Sequence, residues 1–167
     1  MDPRIRPLTR GDQAFLWTAL YHALHVPPGA GPFPLRVVRQ PEIARYAAGW
    51  LERPGDVGFI AELGEEPVGA AWLRRWGDGE RGFGFVSPET PELSMSLVPA
   101  YRGRGIGTAL LRRVLAEAER EAEAVSLSVS RSNPARRLYR RAGFRIVGEP
   151  EGGSVTMLKT FSAREAD

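Results

Sequence analysis

The stretch Leu97-Val98-Pro99-Ala100-Tyr101-Arg102-Gly103-Arg104-Gly105-Ile106-Gly107-Thr108 decides the fold. Before it, Glu92–Val98 alternates. Leu93, Met95 and Leu97 point one way, and Glu92, Ser94 and Ser96 the other, which is the period of a strand. After it, Ile106, Leu110, Leu111, Val114, Leu115 and Ala118 fall on one stripe, so the spacing predicts a helix over Gly105–Glu121. Between the two lie Gly103, Gly105 and Gly107 at alternate positions. Glycine lets backbone amides approach a ligand closely, and a helix start adds partial positive charge. Arg102 and Arg104 add full charges at the same place. Such a turn reads first as a cradle for a pyrophosphate, with a glycine-rich turn bearing solvated arginines as the alternative. Two other phosphate motifs fit less well. A Walker loop needs a lysine before the Ser/Thr, and Gly107 runs directly into Thr108. A dinucleotide fingerprint needs a glycine where Leu110 stands.

Working outward, Arg4–Leu8 reads as a short strand and Gly11–Leu24 as a helix. Pro41–Leu51 reads as a second helix with its proline near the start. Val57–Leu63 and Pro67–Trp76 form a hairpin across Glu65-Glu66. Past the central helix come strand Val125–Val129, helix Pro134–Ala142 stopped by Gly143, and strands Phe144–Val147 and Val155–Phe161. The order βααβββαβαββ predicts an α/β (α+β) fold with a mixed sheet of six to seven strands and about four helices on its faces. The proline- and glycine-rich stretches 26–41 and 77–91 read as loops within one domain spanning residues 1–167, because patterned segments continue on both sides.

Composition closes off other chemistries. With no cysteine there are no disulfides, thiolate metal sites or cysteine nucleophile, and with two histidines there is no multi-histidine metal centre. No metal site is expected. No run of ~18 apolar residues suggests a membrane span, and the arginine-bearing start is unlike a secretory signal, so the chain reads as cytoplasmic. Net charge is only +3 despite a pI of about 9.8. Lys159 is the sole lysine, so the basic residues are otherwise arginines, the better bidentate binders of phosphate. The 20 acidic residues balance most of that charge and argue against a nucleic-acid-binding module.

A second motif follows: Ser132-Asn133-Pro134-Ala135-Arg136-Arg137-Leu138-Tyr139-Arg140-Arg141-Ala142-Gly143-Phe144. With it the chain resembles the GCN5-related N-acetyltransferase (GNAT) superfamily. Arg102, Gly105 and Gly107 match that family's Arg/Gln-x-x-Gly-x-Gly/Ala signature. Asn133, Leu138-Tyr139 and Gly143-Phe144 match its second motif. The motifs cover about residues 92–148, and the first 91 residues match in element order alone.

The resemblance implies the acyl-CoA N-acyltransferase fold and transfer of an acetyl group from acetyl-CoA to an amine of a small molecule or peptide. It implies a V-shaped gap between strands Glu92–Val98 and Val125–Val129. Pantetheine would pair along Met95, Leu97 and Val98, and the pyrophosphate would sit on the amides of Arg102, Gly103, Arg104, Gly105, Ile106, Gly107 and Thr108. Asn133 would orient the pantetheine. Glu92 would be the base, directly or through water, or else it is an exposed carboxylate at a loop end. Tyr139 would protonate or position the thiol, or else it is a core aromatic. A backbone amide near Met95 or Leu97, at a strand bulge, would hold the oxyanion.

The acceptor would enter over residues 22–45 and 77–91. Phe33, Tyr46, Trp76, Phe83 and Phe85 could line its pocket, and Asp78, Glu80 and Glu89 could attract a cation. His22 and His25 read as solvated or cationic at a helix end. Trp17, Trp50, Trp72 and Trp76 read as core or hairpin residues. Arg136, Arg137, Arg140 and Arg141 read as a solvated face. An acyl-CoA-binding sensor without turnover is the other reading on the same fold. The sequence leaves the oligomeric state open, a homodimer included.

Overall fold

In a computed structural model, which describes residues 2–150 and 152–162, seven strands form one sheet in the order β1-β2-β3-β4-β5-β7-β6. They are β1 (Arg4–Pro7), β2 (Val57–Leu63), β3 (Glu66–Arg74), β4 (Glu92–Leu97), β5 (Ala124–Ser130), β6 (Arg145–Gly148) and β7 (Ser154–Thr160). Every neighbouring pair is antiparallel except β4 and β5, which are parallel. Helices α1 (Gln13–Ala23), α2 (Pro41–Ala44), α3 (Ile106–Glu119) and α4 (Ala135–Arg141) cover the two faces. This is the mixed α/β sheet that the element order predicts.

Two apolar cores hold the layers. On one face Leu110, Leu111 and Val114 of α3 and Tyr139 of α4 pack on Ala71, Leu93, Leu127 and Met157. On the other, Leu16, Ala19 and Leu20 of α1 pack with Tyr46, Trp50, Trp72 and Trp76. Trp50, Trp72 and Trp76 are all buried. β2 and β3 are apolar on both faces because both faces are covered.

Three elements differ from the sequence reading. The first helix opens with a 3₁₀ turn, Arg10–Asp12, because the Asp12 carboxylate accepts from the Thr9 amide at 2.8 Å and pairs with Arg6. Stretch 26–41 is not all loop, since Leu35–Arg39 forms a 3₁₀ helix. The second helix stops at Ala44 instead of Leu51. Buried Arg74 donates to the carbonyls of Arg45 (2.8 Å), Ala48 (2.7 Å) and Gly49 (3.2 Å), turning them away from helical partners. Gly49 and Leu51 then take left-handed backbone angles, φ +62° and +69°. Asp56 completes this post: it pairs with Arg74 at 2.9 Å and accepts from the Leu51 amide at 3.0 Å.

Candidate active site

β4 and β5 share a single register pair, Glu92↔Ser126, with the Ser126 amide donating to the Pro91 carbonyl at 3.0 Å. Beyond that point the strands part and leave a gap. β4 pairs with β3 in unbroken register from Arg74↔Glu92 to Gly69↔Leu97. Val98, expected beside the pantetheine, instead donates its amide to Val68 at 2.8 Å and accepts from the Tyr101 amide at 2.9 Å, so its backbone does not face the gap. Antiparallel partners alternate between bonded and non-bonded pairs, so the amides and carbonyls of Met95 and Leu97 face the gap. They meet no bulge. The expected bulge is absent from β4, and the register shifts of the sheet lie at Ala61/Glu62 and Ile146/Gly148.

At the end of β4 the chain makes a 3₁₀ turn, Pro99–Tyr101, and reaches the glycines. Gly103 and Gly105 have φ +77° and +83°, and a Cβ at either would meet only open space. Gly105 begins α3 without any side-chain cap. The first amides of α3 therefore point outward, available to an anion. Gly107 is buried against Leu138 (3.6 Å), Leu97 (3.7 Å) and Met95 (3.9 Å), measured from an added Cβ. The turn, the tip of β4 and α4 thus converge at one end of the gap. Arg102 and Arg104 flank them, the latter 5.4 Å from the Tyr101 ring.

Asn133 stands where β5 leads into α4. Its Oδ1 accepts from the Ala135 amide at 2.9 Å, so it caps α4. Beside it a cavity of about 400 Å³ is lined by Arg131, Arg136, Arg137 and Arg140. The expected solvated arginine face is in part this cavity, and Arg136 Nε is buried without a partner. Tyr139 lies on the α3 side of the sheet, 7% exposed, with its ring edge-on to Phe144. Burial pushes its hydroxyl up to about 12, and the hydroxyl makes no protein hydrogen bond among the described residues.

Glu92 projects from the opposite face. It is 2% exposed, which removes the reading of an exposed loop-end carboxylate. Its Oε2 accepts from the Tyr46 hydroxyl at 2.5 Å. Its Oε1 accepts from Trp76 Nε1 at 3.1 Å and from the Gly84 amide at 3.2 Å. Burial raises this carboxyl to about 7, outweighing the opposite pull of its three donors. Burial, then the adjacent carboxylate, raises the Tyr46 hydroxyl as well, so it stays protonated and donates.

The segment Gly82–Phe85 crosses directly over Glu92. The Phe83 amide donates to Tyr46 Oη at 2.6 Å, and the Phe83 ring stacks on Tyr46 with 6.2 Å between centroids. A Cβ on Gly82 would collide with Glu92, Tyr46 and Trp76, and one on Gly84 with the β5 backbone. Both glycines allow this strap to lie flat. The sequence marks Tyr46 as pocket lining and Trp76 as pocket lining or a core or hairpin residue, and their bonds to Glu92 carry no local signal.

Other expectations change. Glu80 is paired with Arg53, so it is not a free carboxylate. Burial, then Arg102, pushes His22 below its ordinary value and favours the neutral ring over the cation expected at a helix end. His25 bonds Ser132 at 3.0 Å. Phe33 and Phe83 are exposed, Phe83 by 58%, and Phe85 is half-buried.

The sequence pattern of the Acetyltransferase (GNAT) family matches residues 17–144. The chain is similar to a putative acetyltransferase, yncA, from Salmonella typhimurium with its cofactor acetyl-CoA: 24% identity, 100% of this chain and 98% of that one, TM-score 0.68. It is similar to the paiA N-acetyltransferase of Thermoplasma acidophilum in complex with coenzyme A: 18% identity, 96% and 100%, TM-score 0.67. It is also similar to AAC(6')-Ib in complex with paromomycin and acetyl-CoA: 25% identity, 99% and 100%, TM-score 0.61. No curated protein sequence matches. Among the described residues no helix is long and apolar enough to cross a membrane.

Proposed function

The chain belongs to the acetyltransferase (GNAT) family, and on that premise we propose that it moves the acetyl group of acetyl-CoA directly to a primary amine of a small molecule or peptide. The observation that carries this reading is the gap between β4 and β5, open at the end where the uncapped α3 amides stand. Acetyl-CoA fits the residues present. The pyrophosphate would be held by the amides of Gly103 to Thr108, with Arg102 and Arg104 beside them. The pantetheine amides would be held along Met95 and Leu97, as an added strand would be. Asn133 keeps its side-chain NH2 for the same chain while Oδ1 caps α4. Acetyl-CoA supplies a thioester carbonyl activated for attack by nitrogen.

At pH 7 an alkylammonium of pKa ~10.4 is neutral in about one molecule in ~2,500. A base that takes the proton is worth roughly 10²–10⁴ in rate. Glu92, raised to about 7, is matched to that task near neutral pH. It takes one proton from the ammonium, and the free amine attacks the carbonyl carbon. The C–N bond forms as the C–S bond breaks, the gap-facing amides of Met95 or Leu97 hold the oxyanion, and the thiolate leaves. Tyr139 gives the thiolate its proton and recovers one from the amide nitrogen through solvent.

The sealing of Glu92 under Gly82–Phe85 favours a second reading, an acyl-CoA-binding sensor without turnover. One assay separates them. Thiol release from acetyl-CoA is followed with putrescine, 2-phenylethylamine, alaninamide and an aminoglycoside, and the products are weighed by mass spectrometry. Thiol release matched by an N-acetylated product is the expected result. Stoichiometric acetyl-CoA binding with no release for any amine would support the sensor.

A further inference from the structure

We propose that Tyr46 is the positioning residue of the transfer reaction: its hydroxyl fixes the one lone pair of Glu92 left free to take a proton. This rests on the reading of Glu92 as the base.

A carboxylate offers about four acceptor sites. Three are taken. Oε1 holds Trp76 Nε1 and the Gly84 amide, and Oε2 holds the Tyr46 hydroxyl. The remaining site is the second lone pair of Oε2, the same oxygen that Tyr46 grips at 2.5 Å. A base competent to receive a proton therefore works beside that phenol, and the phenol decides where the lone pair points.

The phenol is itself fixed. It accepts from the Phe83 amide at 2.6 Å, and its ring lies between an edge-on Trp76 at 5.0 Å and a stacked Phe83 at 6.2 Å. The chain Phe83 N–H, Tyr46 O–H, Glu92 Oε2 runs one way, so each donor polarises the next. Loss of the first member loosens the strap, and loss of the second frees Oε2.

The surroundings leave Tyr46 as the main tunable partner. From β3, Arg74 is the register partner of Glu92, but its charge is held by Asp56 at 2.9 Å. Trp76, two residues past the end of β3, donates a neutral N–H, with Arg53 beyond its ring at 5.6 Å and paired to Glu80. From β5, Ser126 presents a buried hydroxyl without a partner. From the strap only the Gly84 amide reaches Glu92. Removing the phenol O–H takes away a donor that favours the ionised carboxylate, so Glu92 should hold its proton to higher pH.

The experiment uses wild type, Tyr46→Phe, Glu92→Gln and a form with 3-fluorotyrosine at position 46. The phenylalanine keeps the ring and its stacking. The fluorinated phenol is a stronger donor of nearly the same shape. Two quantities are read: the 13C carboxyl titration of Glu92 in 13C-glutamate-labelled protein, assigned by its loss in Glu92→Gln, and the acidic limb of kcat/KM with the fastest amine of the panel above.

The expected result is a midpoint ~1 pH unit higher in Tyr46→Phe. It should be lower in the 3-fluorotyrosine form, with the kinetic limb moving in step and KM for acetyl-CoA unchanged. An acidic limb that survives Glu92→Gln overturns the base reading and this one with it. A limb lost in Glu92→Gln but unmoved, with an unmoved 13C midpoint, in both position-46 forms overturns the role of Tyr46 alone. If Tyr46→Phe does not fold, the 3-fluorotyrosine form carries the test by the sign of its shift.

Discussion

Gly84 is the position where one methyl group should do the most damage for its size. A Cβ there would stand 2.6 Å from the Leu127 carbonyl carbon, 2.7 Å from the Ser128 nitrogen and 2.9 Å from the Leu127 oxygen. All three atoms belong to the β5 backbone, which is pinned by the β5–β7 ladder and cannot step aside. The strap must lift instead, by ~0.8 Å to restore van der Waals contact. That lengthens the Gly84–Glu92 bond from 3.2 Å beyond hydrogen-bonding range. Overpacking costs ~1–3 kcal/mol, so Gly84→Ala should lose about 2 kcal/mol. For a chain of 167 residues that is roughly 4–8 °C in Tm. Scanning calorimetry at pH 8 reads it, with Gly77→Ala as the control, since a Cβ at Gly77 meets nothing within 4 Å. Losing the Gly84 donor should also raise the Glu92 midpoint. A Tm equal to that of wild type, with the control also unchanged, would refute the argument that the strap is seated by glycine.

Arg74→Met strands the buried Asp56 carboxylate and the Arg45 and Ala48 carbonyls; it should cost ~3–5 kcal/mol, read by urea unfolding, and a loss below ~1 kcal/mol contradicts the post. Glu92 binds its proton more tightly folded than unfolded, so its contribution to stability is full below about pH 4.5 and is lost as pH rises through about 7. Wild type should therefore lose ~3 kcal/mol relative to Glu92→Gln across that window, and a constant difference between the two denies the buried carboxyl. Tyr139→Phe should lower kcat at least ~10-fold with acetyl-CoA affinity kept, within the range of one lost proton donor; an unchanged kcat removes Tyr139 from the chemistry.

Much of this fold can be read from the sequence because its periods change at sharp boundaries. The alternation of Glu92–Val98 gives way to glycines and then to the stripe Ile106 to Ala118, and β4, the turn and α3 follow in that order. The second helix is shorter than its apolar pattern because its end is set by Arg74, 30 positions after Ala44 and on another element. Apolar pattern and a leading proline describe where a helix starts, not which distant side chain will take its carbonyls. The glycine turn is local and is legible residue by residue. The surroundings of Glu92 were not, because its donors come from positions 46, 76 and 84 and meet only when the strap closes over the sheet. The parting of β4 from β5 likewise depends on register, which the pattern of one strand does not carry.

The central claim is that the gap and the glycine turn hold acetyl-CoA for transfer to an amine. Calorimetric titration of the purified protein with acetyl-CoA, with ATP and NADH as controls, tests it most directly. Selective one-site binding in the micromolar range, weakened when Gly105→Ala forces a side chain onto the left-handed turn, is the predicted result. Folded protein that gives no heat with acetyl-CoA, or that binds all three nucleotides alike, would contradict it.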